Sequence, residues 1–311
     1  MGMKMENSGL SNIHGIVVRS QSGFYDIDTP NGQYTAQLRG KLKQGQKTGD
    51  LIAVGDRVNI SLQEDGSAMI EQIEERRSRF SRLAPTPRGE YEQIIIANPD
   101  QVVLVFSCTN PEPRMRMLDR FLVIAEEQQI PAMIVANKID LVSWRVRREL
   151  FGHYPHLGYP VIYTSAKKRK GIMKLRRHLR GKISVLIGPS GTGKSSLLNA
   201  IQPGLGLRVN HISQATGKGR HTTAVRAMFP LDGGGYVADT PGLKALSLWD
   251  IEPEELDGYF PEIRPLVPHC QYSSCTHMQE PGCAVITAVE QGKVHPERYE
   301  SYIRLRLGIE D

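Results

Sequence analysis

No apolar run in this 311-residue chain approaches the roughly 20 residues needed to cross a bilayer. The apolar runs, such as Val102–Phe106 and Ile94–Ala97, have the length of strands, so no membrane association is expected. Cysteine is scarce, with four residues, and three of these lie close together beside a histidine instead of being spread as a disulfide frame. The first residues, MGMKMENSGLSN, lack the apolar centre of a secretory signal. Disulfide stabilisation is therefore not expected, and a reducing cytoplasm is the expected location. An acidic surplus is also lacking. The net charge is +6, from 39 Lys and Arg against 33 Asp and Glu, which admits nucleic acid as a partner without requiring it.

Three styles of sequence follow one another. Short alternating segments between residues 13 and about 75, such as GIVVRS, FYDIDT, QYTAQLRG, DRVNISL and SAMIEQI, are separated by Gly, Asn and Asp turns. They predict a small β-barrel, and five strands with a basic hairpin loop fit an OB-fold, whose face and loops commonly take oligonucleotides. From about 90 to 245, β-branched strands alternate with helical patterns, which predicts an α/β domain with a mostly parallel sheet. After 250 come Pro-bounded helical pieces, PEELDGYFPEI, AVITAVEQG and HPERYESYIRLRLG, around the cysteine cluster. The expected domains are residues 1–80, an OB-fold that binds RNA, 81–248, an α/β nucleotide domain, and 249–311, a mainly α-helical metal-binding region. Basic residues concentrate at Arg39, Lys41, Lys43 and Lys47, at Arg76 to Arg88, in WRVRREL and in KKRKGIMKLRRHLRGK. Solvated loops and helix faces account for any one of these clusters alone. Arg39, Lys41 and Lys43 are the candidates for RNA contact.

The segment Gly188, Pro189, Ser190, Gly191, Thr192, Gly193, Lys194, Ser195, Ser196 matches the phosphate-binding pattern G-x-x-x-x-G-K-[ST] between the strand ISVLI and the helix SSLLNAI. Glycines let backbone N–H groups close around phosphates at a helix N-terminus, Lys194 reaches the β- and γ-phosphates, and Ser195 supplies an oxygen to Mg²⁺. Asp239-Thr-Pro-Gly242 follows another strand. An ordinary turn would use the same residues, but downstream of a phosphate loop Asp239 is suited to Mg²⁺ and the Gly242 N–H to the γ-phosphate. Asn137-Lys138-Ile139-Asp140 ends the strand AMIV. The Asp140 carboxylate can accept two hydrogen bonds from guanine, a pair that adenine cannot supply, while the Lys138 stem covers the base. Thr164-Ser165-Ala166 follows the next strand and offers a backbone amide to the guanine oxygen. GTP and GDP are the expected ligands.

These motifs stand in an unusual order, with the guanine loops before the phosphate loop. Read cyclically, they run in the usual GTPase order with the break moved, and the helical segment GIMKLRRHLRG joins the original ends. The domain is circularly permuted. Farther on, Cys270-x4-Cys275-x-His277-x5-Cys283 brings four soft ligands within fourteen residues. Three thiolates and an imidazole suit one tetrahedral Zn²⁺ and leave no position open for catalysis, so this zinc is expected to be structural. The fourth cysteine, Cys108, ends a buried strand and is expected to be core filler.

An N-terminal barrel with VGDRV, the permuted order NKID, TSA, GPSGTGKSS and DTPG, and a C-terminal Cys/His cluster together closely resemble the RsgA or YjeQ family of circularly permuted GTPases. The resemblance covers nearly the whole chain. It implies a cytoplasmic GTP hydrolase acting late in maturation of the 30S ribosomal subunit, stimulated by that subunit, bound to its 16S rRNA and leaving after hydrolysis. The family's switch I motif ends in three threonines, whereas this chain has Gly219-Arg-His221-Thr222-Thr223-Ala224. Thr222 or Thr223 would meet Mg²⁺. His221 either orients water, contacts RNA or faces solvent. Most Ras-like GTPases carry Gln after the DxxG glycine, where Leu243 stands here, so hydrolysis by the isolated protein is expected to be slow. Two other functions remain open: a nucleic-acid-binding module whose GTP only tunes affinity, and a translation factor acting on whole ribosomes. A monomer is the default expectation.

Overall fold

The computed structural model describes residues 13–40, 50–63, 67–86, 89–205, 226–239 and 251–309, with side chains for all of these except 83–86, 89–91, 226 and 239. The chain divides into two compact units: one of residues up to Pro99 with Arg220–Phe229, the other of Asp100–Gly219 with Pro230 onward.

The first unit opens with β1 (Ile13–Gln21), β2 (Phe24–Thr29), β3 (Gly32–Leu38), β4 (Arg57–Leu62) and β5 (Ala68–Ile73). β1 pairs with β2, β2 with β3, β3 in parallel with β5, β5 with β4, and β4 returns to β1, which closes a five-stranded barrel. β1 serves both neighbours because it is long and bulged: Ile13–Ile16 face β4 and Ile16–Gln21 face β2, with a register shift at Val17 and Arg19. Gly15 sits where β1 crosses tightly over the core. A Cβ there would fall 2.4 Å from Ile27 Cγ2. Alternation along the strands turns Val17, Ile27, Ala36, Val58, Ile60 and Ile70 inward as a common core. Within VGDRV, the fully buried Asp56 accepts from Arg76 Nε at 2.7 Å and Nη2 at 2.8 Å and from the Ala53 N–H at 2.7 Å, so the motif and Arg76 hold the barrel closed. β6 (Arg79–Thr86) and β7 (Gly89–Ala97) follow as an antiparallel hairpin. Nothing in the sequence marks β6 as a strand, because its Arg, Ser, Pro and Thr content lacks an apolar alternation.

The second unit contains β8 (Gln101–Ser107), α1 (Met115–Glu127), β9 (Ala132–Asn137), α2 (Trp144–Phe151), β10 (Val161–Tyr163), α3 (Ile172–Leu179), β11 (Ile183–Ile187) and α4 (Lys194–Ile201). β12 (Arg226–Pro230) begins in the first unit, where it pairs with β1, and β13 (Tyr236–Asp239) returns to the second. Among the described residues the second unit's sheet runs β10-β9-β8-β11-β13, every neighbour parallel. β8, at its centre, is buried at every residue, as expected for a sheet covered on both faces. Cys108 follows it, buried, and burial pushes its thiol up to about 11, so it is inert filler.

Beyond residue 250 the structure has two short 3₁₀ turns, then α5 (Ala284–Glu290) and α6 (Pro296–Arg306). The first helical piece expected here is replaced by the turns Leu256–Tyr259 and Arg264–His269 because Pro261, Pro265 and Pro268 remove the N–H groups that a longer helix would use. This region has no sheet of its own. Its core of Leu256, Phe260, Ile263, Val285 and Tyr302 packs onto Val123 of α1. Beneath that contact the buried Arg298 donates to Asp119 of α1 at 2.7 Å and to Glu262 at 2.6 Å, while the Tyr154 and Ser301 hydroxyls also donate to Asp119. The Arg298 guanidinium lies 4.5 Å from the Phe260 ring centre. Burial works against its charge, but Asp119 and Glu262 outweigh that and raise its pKa. His153 stacks on His295, ring centres 4.2 Å apart, and burial, then His295 and Arg298, push its pKa down to about 4.

Candidate nucleotide site and metal centre

Three loops meet at the C-terminal end of the parallel sheet, the edge at which open α/β sheets bind ligands. β11 runs into the phosphate-binding loop, and the turn starts hard against β8: a Cβ on Gly188 would fall 2.1 Å from the Val105 carbonyl. The loop ends at Gly193, φ +95°, which caps α4 so that Lys194, Ser195 and Ser196 form the helix's first turn. Its backbone amides therefore face outward at a positive helix end. Lys194 Nζ curls over the loop and donates to the carbonyls of Gly188 at 2.6 Å and Pro189 at 3.0 Å. The Thr192 hydroxyl, on a buried side chain, also closes on the Pro189 carbonyl at 3.0 Å, while Ser190 is exposed.

Asn137 ends β9 and joins two of the loops. Its amide donates to the Thr192 carbonyl at 2.8 Å and accepts from the Thr164 hydroxyl at 3.1 Å. Lys138, in the left-handed region at φ +60°, donates to the carbonyls of Gly191 at 2.7 Å and Asn110. Burial lowers its pKa and Asp140 opposes the shift. Ile139 is buried, which leaves Asp140 exposed one residue beyond it. The Asp140 carboxyl lies below the usual range, chiefly through a hydrogen bond from Ser165, with Lys167 and Lys168 adding to it. It is thus ionised and acceptor-only at neutral pH. Ser165 is buried and Ala166 half-buried at the end of β10. Asn137 to Asp140, Ser165, Ala166 and the loop from Gly188 to Ser196 are therefore brought together. The linkage of the loops by Asn137 and Lys138 was not legible in advance, because it depends on which strands are neighbours.

Asp239 closes β13 directly beside β11, in register with Leu186, so its backbone stands one strand from the phosphate loop. His221, Thr222, Thr223 and Gly242 lie outside the described residues, as do Lys41 and Lys43. Arg39 is half-exposed and pairs with Glu71, whose pKa is lowered first by the Ser61 hydroxyl and also by Arg39.

At the second site, ligand atoms of Cys270, Cys275, His277 and Cys283 lie within 4.8 Å of one another, the one such group among the described residues. Cys270 Sγ is 3.9 Å from Cys283 Sγ, and His277 Nδ1 is 3.5 and 3.4 Å from those two sulfurs. A tetrahedral zinc with Zn–S of about 2.3 Å and Zn–N of about 2.0 Å has edges of about 3.5–3.8 Å, so the donor set fits this ion. His277 Nε2 lies 3.2 Å from Asp257 Oδ2, which fixes the ring with Nδ1 toward the sulfurs. Asp257 was missed from sequence, since it stands 20 residues from its histidine with nothing in the spacing to mark it. Glu280 braces the loop by accepting from the backbone N–H groups of Thr276, Met278 and Gln279. Gly282 allows the return to Cys283: a Cβ there would be 2.4 Å from Gln271 Oε1, at φ +70°.

Comparison with known proteins bears on the barrel and the nucleotide domain. The RsgA N-terminal domain matches residues 14–70, and the RsgA GTPase domain matches 73–249. The small ribosomal subunit biogenesis GTPase RsgA of Gemmatimonas aurantiaca is 47% identical, covering 94% of this chain and 96% of its own. The chain belongs to the RsgA family of GTPases. The RsgA protein of Moorella thermoacetica is 42% identical over 94% of this chain and 95% of its own. Among solved structures, YjeQ from Thermotoga maritima superposes with a TM-score of 0.79 at 39% identity, covering 96% of this chain and 98% of that one. YloQ, a circularly permuted GTPase, gives 0.74 at 31% identity, with 98% of both chains covered. As an RsgA-family protein the chain is a P-loop enzyme that hydrolyses GTP, with a role in ribosome biogenesis. Its barrel, permuted GTPase domain and Cys/His cluster agree with the fold expected from sequence. No helix among the described residues is long and apolar enough to cross a membrane.

Proposed function

We propose that GTP lies across the three loops, that the small ribosomal subunit stimulates its hydrolysis, and that hydrolysis releases the protein from a late 30S particle. The supporting observation is the meeting of an exposed, ionised Asp140 with the phosphate loop at one sheet edge, joined by Asn137 and Lys138. Asp140 accepts from guanine N1–H and its exocyclic amine, the Ser165–Ala166 backbone meets the guanine oxygen, and Lys138 covers the base. The amides of Gly188 to Ser196 and Lys194 Nζ hold the phosphates. Bound Mg²⁺ would neutralise developing charge on the β- and γ-oxygens, with Ser195, one of Thr222 and Thr223, and Asp239 as the residues to hold it. Water then attacks the γ-phosphorus, the bond to the β-bridging oxygen breaks, and GDP and phosphate leave.

Leu243 cannot hydrogen-bond the attacking water, so the subunit completes the site, with His221 the chain's own candidate to orient that water. The barrel's hairpin loop with Arg39, Lys41 and Lys43 contacts 16S rRNA, the Cys₃His centre holds one structural zinc, and the protein acts as a cytoplasmic monomer. Multiple-turnover hydrolysis, measured alone and with isolated small subunits, tests this: the rate should rise at least tenfold with subunits, and an unchanged rate refutes the switch. Specificity has its own test. Asp140→Asn should weaken GTP roughly 100-fold, the loss of two hydrogen bonds to a charged acceptor, and improve xanthosine triphosphate, whose carbonyl matches the new amide. Unchanged GTP affinity would reduce the motif to a turn.

A further inference from the structure

Residues 167–182 hold nine lysines and arginines and no aspartate or glutamate. None of the nine forms a salt bridge with a described carboxylate, whereas Arg19, Arg39, Arg76 and Arg79 in the first unit all do. Lys167 to Lys170, Lys174, Arg177 and Arg180 are exposed. The row starts beside the guanine loop, where Lys167 and Lys168 act on Asp140, and follows α3 to the opposite end of the sheet. There the Gly181 N–H donates to the Gly234 carbonyl at 2.8 Å. The two ends are separated by the length of β11, roughly 17 Å for five residues.

At the far end the row borders a groove of about 270 Å³. Met173, Ile201 and Leu231 give it an apolar floor, and Arg176, Arg177 and Arg180 form its rim. Positions 173, 176, 177 and 180 share one helix face by their spacing. Met173 is 64% exposed, a flexible apolar side chain left uncovered among cations.

We propose that this groove is an RNA-docking surface, in which the arginine rim follows the phosphates of a single-stranded segment and one unstacked base enters the apolar slot against Met173. Unpaired cations at successive helix turns match a chain with one negative charge per nucleotide, and the slot has room for a base, which packs on apolar and guanidinium surfaces alike. An acidic amphipathic helix fits less well, because it needs a row of apolar pockets for side chains at i, i+3, i+4 and i+7. Here one slot is present. The inference rests on the reading that the partner particle contains RNA, and assigns a contact on the GTPase unit that is separate from the barrel's hairpin loop.

Binding of a fluorescent ten-residue oligouridylate to the full-length, zinc-loaded protein tests it by anisotropy across a salt series. Arg176→Gln/Arg177→Gln/Arg180→Gln should weaken binding at least tenfold and lower the log–log salt slope by about 2, from roughly 0.7 per lost phosphate contact. Met173→Ala should cost about fivefold and leave the slope unchanged, since stacking is not ionic. Basal GTP hydrolysis should match the parent in both variants. The proposal is overturned if the parent does not bind the oligonucleotide, if the triple variant keeps its affinity and slope, or if polyglutamate competes as well as RNA at equal charge, which would assign the groove to an acidic peptide. Small-subunit association, run in parallel, separates the two readings. A parent that ignores subunits removes the proposed function, while a triple variant that binds subunits like the parent removes only this surface.

Discussion

The loops proposed for the nucleotide and the loop proposed for the metal are supported in opposite ways. The nucleotide loops hang from strands β9, β10 and β11 of the parallel sheet and are tied to one another by the Asn137 and Lys138 side chains. The metal loop has no sheet beneath it. It relies on four side chains, on Asp257 and Glu280, and on a small core shared with α1. A site on a finished scaffold can lose a side chain and keep its shape, whereas a site that is its own scaffold cannot.

The sharpest way to break the comparison is Lys194→Ala. Loss of the phosphate counter-charge should cut hydrolysis on the order of 10²–10³-fold or more, while the melting temperature stays close to the parent's because the sheet is untouched. A large drop in melting temperature would place the nucleotide loop among the structural elements. Arg298→Met should produce the reverse pattern. It leaves Asp119 and Glu262 buried without their cation, a loss of about 3–5 kcal/mol, measurable as a shift of the urea midpoint, with GTP affinity in the surviving folded fraction nearly unchanged.

Cys275→Ala sharpens the same contrast from the metal side. Metal analysis should find no bound zinc, proteolysis should open residues 251–309, and subunit-stimulated hydrolysis should fall several-fold while GTP still binds. Full stimulation despite confirmed zinc loss would uncouple the two sites, and loss of GTP binding would show that the metal supports the whole unit. The smallest effect concerns His153. Its folded pKa of about 4 lies below the unfolded value near 6.5, so the unfolded chain takes up the proton first as pH falls. Stability tied to His153 is complete above pH 6.5 and is lost progressively toward pH 4. His153→Gln should flatten that part of the pH profile relative to the parent, a difference in which the metal's own release by acid cancels. Parallel profiles would remove the His153 contribution.

These contrasts also explain what could be read in advance. The phosphate loop and the Asn137–Asp140 motif were legible because their chemistry is local: glycines at fixed offsets, a strand before and a helix after. The barrel was legible from alternation and turns. The roles of Arg76 and Arg298 were not. By sequence Arg76 reads as one of a solvated basic cluster, yet Asp56, 20 residues earlier, neutralises it inside the barrel wall. Asp119 and Arg298 are 179 residues apart, and no periodicity links them. Asp257 pairs with His277 through a turn that the prolines shaped, in a segment whose composition suggested a helix. Pairings that depend on tertiary neighbours leave no mark on either partner's local sequence.

The distance in sequence between Asp119 and Arg298 has a consequence for the making of the molecule. During synthesis, 179 residues separate the appearance of the carboxylate from that of its guanidinium. At roughly 5–20 residues per second the interval is about 10–35 seconds. Throughout it, α1 carries an acidic group at a position that becomes dry only when α6 arrives. The nascent GTPase unit therefore has reason to keep that flank hydrated and loose until the later segment is made, so its final closure reports on the translation of a distant stretch of the message.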